Sequence, residues 1–305
     1  MHISNFTISI RLIICFNFCW LSSIVTAENS PHNPYKEVFN SYILIGEKHG
    51  VEEQQLAIAA LLDQLSKSEK KIGVVMEMIN VDQVALYETF RKLSPQSPKD
   101  FGYAMAWSKT SWPDYRYYAP IFDVIWARDM ALVPGDPSAA DQARWRRGEF
   151  GEGEYDPIKV LSAMYSPEVA AAAHNSWRAA MNTAHCDTLT PAEADNVARM
   201  QMMRDGFMAR QIRALTAAGA ETVVLIAGRA HIRRDRGVPL YLGKHADMKA
   251  IAIVETDPNE AEGETYQPEE TGIGEALPYD HIILTSALEP KENVCDRLRR
   301  KGLIK

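Results

Sequence analysis

Short, unbroken apolar runs alternate along this chain with longer stretches whose apolar residues recur at helical spacing. The runs are Ile43-Leu44-Ile45, Ile72 to Met78, Met130 to Val133, Val223 to Ala227, Ala250 to Val254 and about His281 to Leu284. Runs with so little polar alternation predict strands buried on both faces, as parallel sheets require. Between the first two runs, Leu56, Ala59, Leu62 and Leu65 predict a helix over about 52–65. Strand, helix and strand in that order imply an α/β fold with a mainly parallel sheet flanked by helices.

Residues 81–118 read as helical and then aromatic-rich, and Ile121 to Arg128 as a helix. The stretch from Gly135 to Glu154 is rich in Gly, Asp and Arg and predicts an irregular surface excursion. Residues 158–183 are Ala-rich, with Pro167 near a helix start, and form the body of a smaller helical insertion spanning about 138–190. Thr190-Pro191-Ala192-Glu193 is a capping box with proline at the first helical position. That helix runs to about Ala218, where Gly219 ends it. An acidic loop from Asp257 to Glu275 precedes the last strand. A single α/β domain over 28–295, with a tail over 296–305, accounts for the pattern.

Composition narrows the picture. With 305 residues, 46% hydrophobic and 24% charged, the chain buries a large core, and its net charge of −7 argues against a nucleic-acid footprint. The basic cluster Arg229, Arg233, Arg234 and Arg236 is local and suits an anionic small molecule. Residues 1–27 read as an export signal: Arg11 precedes an apolar run from Leu12, and Val25-Thr26-Ala27 offers small residues for cleavage. The run is shorter than the roughly 20 residues that span a bilayer. A mature protein beginning near Glu28, periplasmic or at the cell surface, is the expectation that intact-mass measurement checks. Cleavage leaves Cys186 and Cys295 as an even pair in an oxidising compartment, which predicts a disulfide.

Two strands end alike. Ile43-Leu44-Ile45 runs into Gly46-Glu47-Lys48-His49, and Val223 to Ala227 runs into Gly228-Arg229-Ala230-His231. Glu77 lies inside a third apolar run, where a bare carboxylate is too costly to bury. In a parallel sheet such strand ends share one edge, so Glu47, His49, Glu77 and His231 are expected to meet there, with Arg204 and Arg234 beside them. Such a set would hold Zn²⁺ or Mn²⁺, pair with arginine, or share a proton for acid–base chemistry. The plainer alternatives are a salt bridge for Glu77 and ordinary surface charge for Arg204 and Asp205. Trp107, Trp112, Tyr115, Tyr117 and Tyr118 either line a pocket for a flat ligand or pack a core. Met164, His174 and Met181 are further candidate ligands in the insertion.

Several islands in order resemble the ChaN-like haem-binding proteins of the Tiki superfamily. They are Leu44-Ile45-Gly46-Glu47-x-His49, Val75-Met76-Glu77-Met78, Trp112-Pro113-x-Tyr115-x-x-Tyr118-x-Pro120, Arg204-Asp205-x-x-Met208-Ala209, Ala227-Gly228-x-x-His231 with Gly237-Val238-Pro239, and Cys295. The resemblance implies a secreted or surface-tethered domain that binds haem for iron acquisition. It implies iron held by tyrosine without carrying the ligand to one numbered residue, and the aromatic cluster offers Tyr115, Tyr117 and Tyr118 as candidates. It further implies a homodimer around two stacked haems and an outer-membrane haem receptor as partner. The chain departs from the family pattern at Val133-Pro134-Gly135-Asp136-Pro137, where an Asn-containing turn is expected, and in having no lipid-attachment cysteine. The same superfamily contains metal-dependent proteases and erythromycin-esterase-like hydrolases. A metal-dependent hydrolase built on the two Gly-x-x-His turns and Glu77 is therefore the second expectation.

Overall fold

The structure is a computed structural model that describes residues 41–68, 70–94, 97–151, 153–256, 278–286 and 294–302. The export signal and the acidic loop lie outside the described residues. The strands are β1 (Tyr42–Glu47), β2 (Ile72–Asn80), β3 (Ala131–Asp136), β4 (Thr222–Gly228), β5 (Met248–Thr256) and β6 (His281–Ser286). They form one sheet in the order β3-β2-β4-β1-β5-β6, with every pairing parallel. The helices are α1 (Glu52–Ser66), α2 (Val84–Leu93), α3 (Phe101–Ala104), α4 (Tyr115–Ala127), α5 (Ala139–Arg146), α6 (Pro157–Met164), α7 (Pro167–Ala184), α8 (Pro191–Ala217), α9 (Val238–Leu242) and α10 (Val294–Arg300).

The apolar runs become strands because both faces of the sheet are covered. Ile43, Ile45, Val74, Met76, Val224 and Ile226 point to one face and pack with α1 and α4. Leu44, Val75, Val223 and Leu225 point to the other and pack with α7, α8 and α9. This is the period-two alternation of a pleated strand, made uniformly apolar by two cores.

Two expectations are corrected. The helix expected from Ile121 begins at Tyr115 and runs through Pro120. Asp114 caps it by accepting from the Arg116 amide, and burial of Tyr118, Ile121, Phe122 and Ile125 outweighs the backbone bond that proline cannot make. The excursion expected over 135–154 contains α5, capped by Ser138. Trp145 is its one buried residue, so the sequence carries no helical period there. Arg144 and the Trp145 indole hold the segment by binding Glu154 at 2.5 and 2.8 Å.

Cys186, in the turn between α7 and α8, is joined to Cys295 of α10, with the Cα atoms 5.3 Å apart. Both lie outside the sheet, so the bond ties the C-terminal helix to the helical layer. No helix among the described residues is long and apolar enough to cross a membrane.

Candidate functional site

The two Gly-x-x-His turns lie against each other because β1 and β4 are neighbours. Glu47 stands in register beside Gly228. A Cβ on Gly46 would lie 2.6 Å from Ile232 Cγ1 and 2.8 Å from the Arg229 Cα, so only glycine lets the second turn fold over the end of β1. A Cβ on Gly228 would lie 3.1 Å from His49 Nε2. Close approach requires glycine at Gly46, and at Gly228 a side chain would press on the His49 ring.

Glu47, His49, Glu77 and His231 come together at the carboxyl edge of the sheet. His49 Nδ1 is 2.5 Å from Glu47 Oε1, and the other Glu47 oxygen accepts from Gln55 at 2.7 Å. His49 Nε2 faces Glu77 Oε2 at 3.9 Å. Glu77 accepts from the Gly228 amide and from Arg204 Nη2, both at 2.6 Å. His231 Nε2 is 3.4 Å from Glu77 Oε1 and 3.4 Å from Arg204 Nη1. Its Nδ1 sits 2.7 Å from Asp205, whose second oxygen accepts from the Trp177 indole at 3.0 Å. Two imidazole–carboxylate pairs thus flank Glu77.

Arg204 joins this group and Arg234 does not. Arg204 Nε also donates to Asp136 at 2.6 Å, so one guanidinium bridges two buried carboxylates. The reading of Arg204 and Asp205 as surface charge is overturned: both are buried, because α8 passes directly over the strand ends. Arg234 binds Asp280 at 2.8 and 2.5 Å and the Met248 carbonyl at 3.0 Å, at the opposite edge of the sheet. The basic cluster expected to face an anion is turned to internal partners. Arg233 pairs with Asp235, Arg236 covers Trp177, and Arg229 donates to the Ile253 carbonyl. Met164, His174 and Met181 do not form a ligand set. Met164 is exposed, His174 faces Asp195, and Met181 packs on the helical layer.

The expectation of Zn²⁺ or Mn²⁺ is not supported. Among the described residues no group of three His, Cys, Asp or Glu side chains is arranged to hold a metal ion. Arg204 occupies the space between Glu77 and Asp136 that a shared cation would need, and it supplies the compensating charge itself.

Burial opposes charge throughout the site, and the local pairings decide which charges survive. Burial works against ionised Glu77, but the charges of His231, Arg204 and His49 and the Gly228 amide hold it well below the usual carboxylate range. For Asp205 burial wins over its bonds to His231 and Trp177, and its carboxyl is pushed up to about 6. Asp136 is likewise raised by burial despite Arg204. At His49 burial disfavours the imidazolium, yet the hydrogen bond to Glu47 and the charges of Glu77 and Glu47 push it up to about 9.

A pH dependence follows with a definite sign. The folded state binds the His49 proton more tightly than the unfolded chain, whose histidine titrates near 6.5. The stabilisation is therefore complete below about pH 6.5 and is lost as pH rises through about 9. It amounts to about 1–2 kcal/mol once solvent screening of this partly exposed ring is allowed for. Denaturant melts between pH 7.5 and 9, below the range in which the buried tyrosines contribute, should show the decline in the native chain and a much flatter profile in His49→Gln. Asp205 titrates below that window. A native profile that stays flat across it would refute the assignment.

The three tyrosines differ in their surroundings. Tyr115 stacks on Phe122 at 5.6 Å between ring centroids and fills the space beside Gly102, and burial pushes its phenol well up. Tyr118 is fully buried, and burial together with the Glu47 charge pushes it up as well. Tyr117 lies on the rim, its ring against Gly50, and its hydroxyl accepts from Arg116 Nη2 at 3.3 Å. Trp112 meets His49 edge to face at 4.8 Å on the same rim.

Asp136, Asp205 and Trp177 were not foreseen as members of the site. Asp136 carried a usable signal, since it closes the third apolar run as Glu47 closes the first. Trp177 carried none.

A family model described as haem-binding uptake, Tiki superfamily, ChaN matches residues 39–242. No curated protein matches the chain. Among solved structures, ChaN of Campylobacter jejuni with cofacially bound haem is similar at 18% identity and a TM-score of 0.55, covering 70% of this chain and 82% of that one. The type III effector HopBA1 is similar at 10% identity and a TM-score of 0.40, covering 81% of this chain and 88% of its own. An erythromycin esterase EreC mutant in its open conformation is similar at 13% identity and a TM-score of 0.35, covering 71% and 70%. The likeness to the Campylobacter protein is one of fold.

Proposed function

This chain belongs to the ChaN family of haem-binding uptake proteins in the Tiki superfamily, and from that premise we propose that it takes up haem outside the cytoplasm with Tyr117 as the iron ligand. The carrying observation is the contrast among the candidate tyrosines. Ferric iron is bound by phenolate, so the ligand must lose its proton and be reachable. Burial opposes ionisation of Tyr115 and Tyr118. Tyr117 is half-buried, and the exposed Arg116 guanidinium donates a hydrogen bond to its oxygen. The Trp112 and Tyr117 rings give the face of a porphyrin an apolar surface to lie on, beside the carboxyl edge of the sheet. Cofacial haem in the Campylobacter relative supports extending the proposal to two copies of this chain around stacked haems. We further propose an outer-membrane haem receptor as the source of that haem.

Titration of the mature protein with haemin tests the ligand. The native chain, Tyr115→Phe and Tyr118→Phe are expected to give the same phenolate-type ferric spectrum, and Tyr117→Phe is expected to lose it. Affinity in Tyr117→Phe should fall by about tenfold or more, the scale of one strong charge-assisted contact. An unchanged spectrum in Tyr117→Phe rejects this ligand and leaves the family assignment standing.

A second reading rests on one geometry, the Glu47–His49 pair with His49 Nε2 turned toward Glu77. We propose it as a metal-free acid–base site. Glu47 fixes the ring, and Nε2 accepts a proton from a substrate water as the water oxygen attacks an ester carbonyl. The same proton then passes to the departing alkoxide. Because His49 is pushed up to about 9, the neutral ring is scarce at pH 7 and hydrolysis should rise with pH until about 9. A p-nitrophenyl ester assay checks this: a rate that depends on His49 and follows that profile supports it. A rate equal in His49→Gln and the native chain removes it.

A further inference from the structure

A cavity of about 350 Å³ opens at the amino edge of the sheet, against the first residues of β2 and β3. It lies at the opposite end of the strands from Glu47 and Glu77. Its lining carries Lys70, Lys71, Arg91 and Arg128 against one acid, Asp129. The Arg91 guanidinium carbon lies over the Trp126 ring at 4.5 Å from its centroid, and one nitrogen pairs with Asp129. Its other terminal nitrogen, Nη1, is buried and has no hydrogen-bond partner among the described residues. Such a donor is costly unless an acceptor is taken up.

The surrounding carboxylates do not meet that need. Asp63 binds Arg128 at 2.7 Å, and Glu221 accepts from the Lys71 backbone amide at 2.9 Å. Tyr87 adds a phenol to the same lining, and burial raises its proton affinity and keeps it a donor. Part of the cationic crowding serves the carbonyl end of α2, whose last turn carries Arg91. That role gives no partner to Arg91 Nη1.

We propose that this cavity binds a small oxyanion, with Arg91 as the fixed donor, Lys71 and Arg128 supplying charge, and Tyr87 donating a hydrogen bond. The ligand chemistry is a compact multivalent anion, a phosphate or a dicarboxylate, too small to be haem. The site is independent of haem uptake, because the two lie at opposite edges of the sheet.

Isothermal titration of the mature protein with inorganic phosphate, and separately with succinate, at an ionic strength fixed with sodium chloride, tests the proposal. Saturable binding of one probe is expected and identifies which anion class the cavity takes. Arg91→Gln should weaken it by about tenfold or more, as loss of a charge-assisted hydrogen bond does. Lys71→Gln, at an exposed position that the fold does not depend on, should weaken it several-fold and covers the case in which Arg91→Gln fails to fold. The haemin spectrum should be unchanged in both variants. Heats no larger than those of chloride at equal ionic strength overturn the proposal. So does equal affinity in the native chain and in Lys71→Gln. Loss of stability without loss of binding would assign these cations to the helix ends alone.

Discussion

Arg204→Met is expected to destabilise the protein by about 3–5 kcal/mol, the scale for breaking a buried ion pair from one side. Methionine keeps most of the volume and removes the guanidinium that bridges Glu77 and Asp136, both at 2.6 Å. Those carboxylates are almost fully buried, so water cannot replace the lost partner without opening the α8 contact. The loss arises from two stranded acids, and removing the acids should therefore recover it. In a Glu77→Gln, Asp136→Asn background the same Arg204→Met change is expected to cost far less. Denaturant unfolding of the four proteins in a double-mutant cycle gives the coupling. A loss below about 1 kcal/mol in the native background would mean that the acids are already neutral or hydrated, and the electrostatic account of the site would fail.

Removing the disulfide is the second large effect. Cys186 and Cys295 are separated by 109 positions, so the bond closes most of the carboxyl-terminal third of the chain. In the chain-entropy account a loop of that size is worth about 4–5 kcal/mol, and observed losses run about 2–5 kcal/mol. Beyond β6, this bond seats α10 against the turn between α7 and α8. The Cys186→Ser, Cys295→Ser protein should unfold at lower denaturant, with a somewhat steeper slope because the unlinked denatured chain exposes more surface. Thiol labelling of unreduced mature protein should find neither cysteine reactive. Two labelled thiols, or equal stability with and without reductant, would refute the bond.

Strand positions were legible because each buried parallel strand must be apolar on both faces, and that requirement is local. The same rule marked the site. Glu47 at the end of one run and Glu77 inside another had to find partners, since a bare buried carboxylate is too costly. The paired Gly-x-x-His turns told that two imidazoles would join them. The capped helix α8 was legible from Thr190 to Gly219 because its cap, its first-turn proline and its terminating glycine are local signals. Helix α5 was not, because a single Trp145 anchors it and a lone contact has no period.

The identity of the compensating charge was decided by tertiary structure alone. Arg204 and Arg234 were equal candidates in sequence, and α8 carries one across the strand ends while the other falls at the far edge beside Asp280. The choice follows from strand order: β4 inserts between β1 and β2, which sets Gly228 beside both Glu47 and Glu77. Packing likewise distinguished the tyrosines, since Tyr118 is fully enclosed and Tyr115 stacks on Phe122, while Tyr117 carries the Arg116 contact. By itself the sequence determined which groups would need partners, because desolvation acts on each residue where it stands. Which partner each one met was decided only when the sheet brought distant segments within hydrogen-bonding reach.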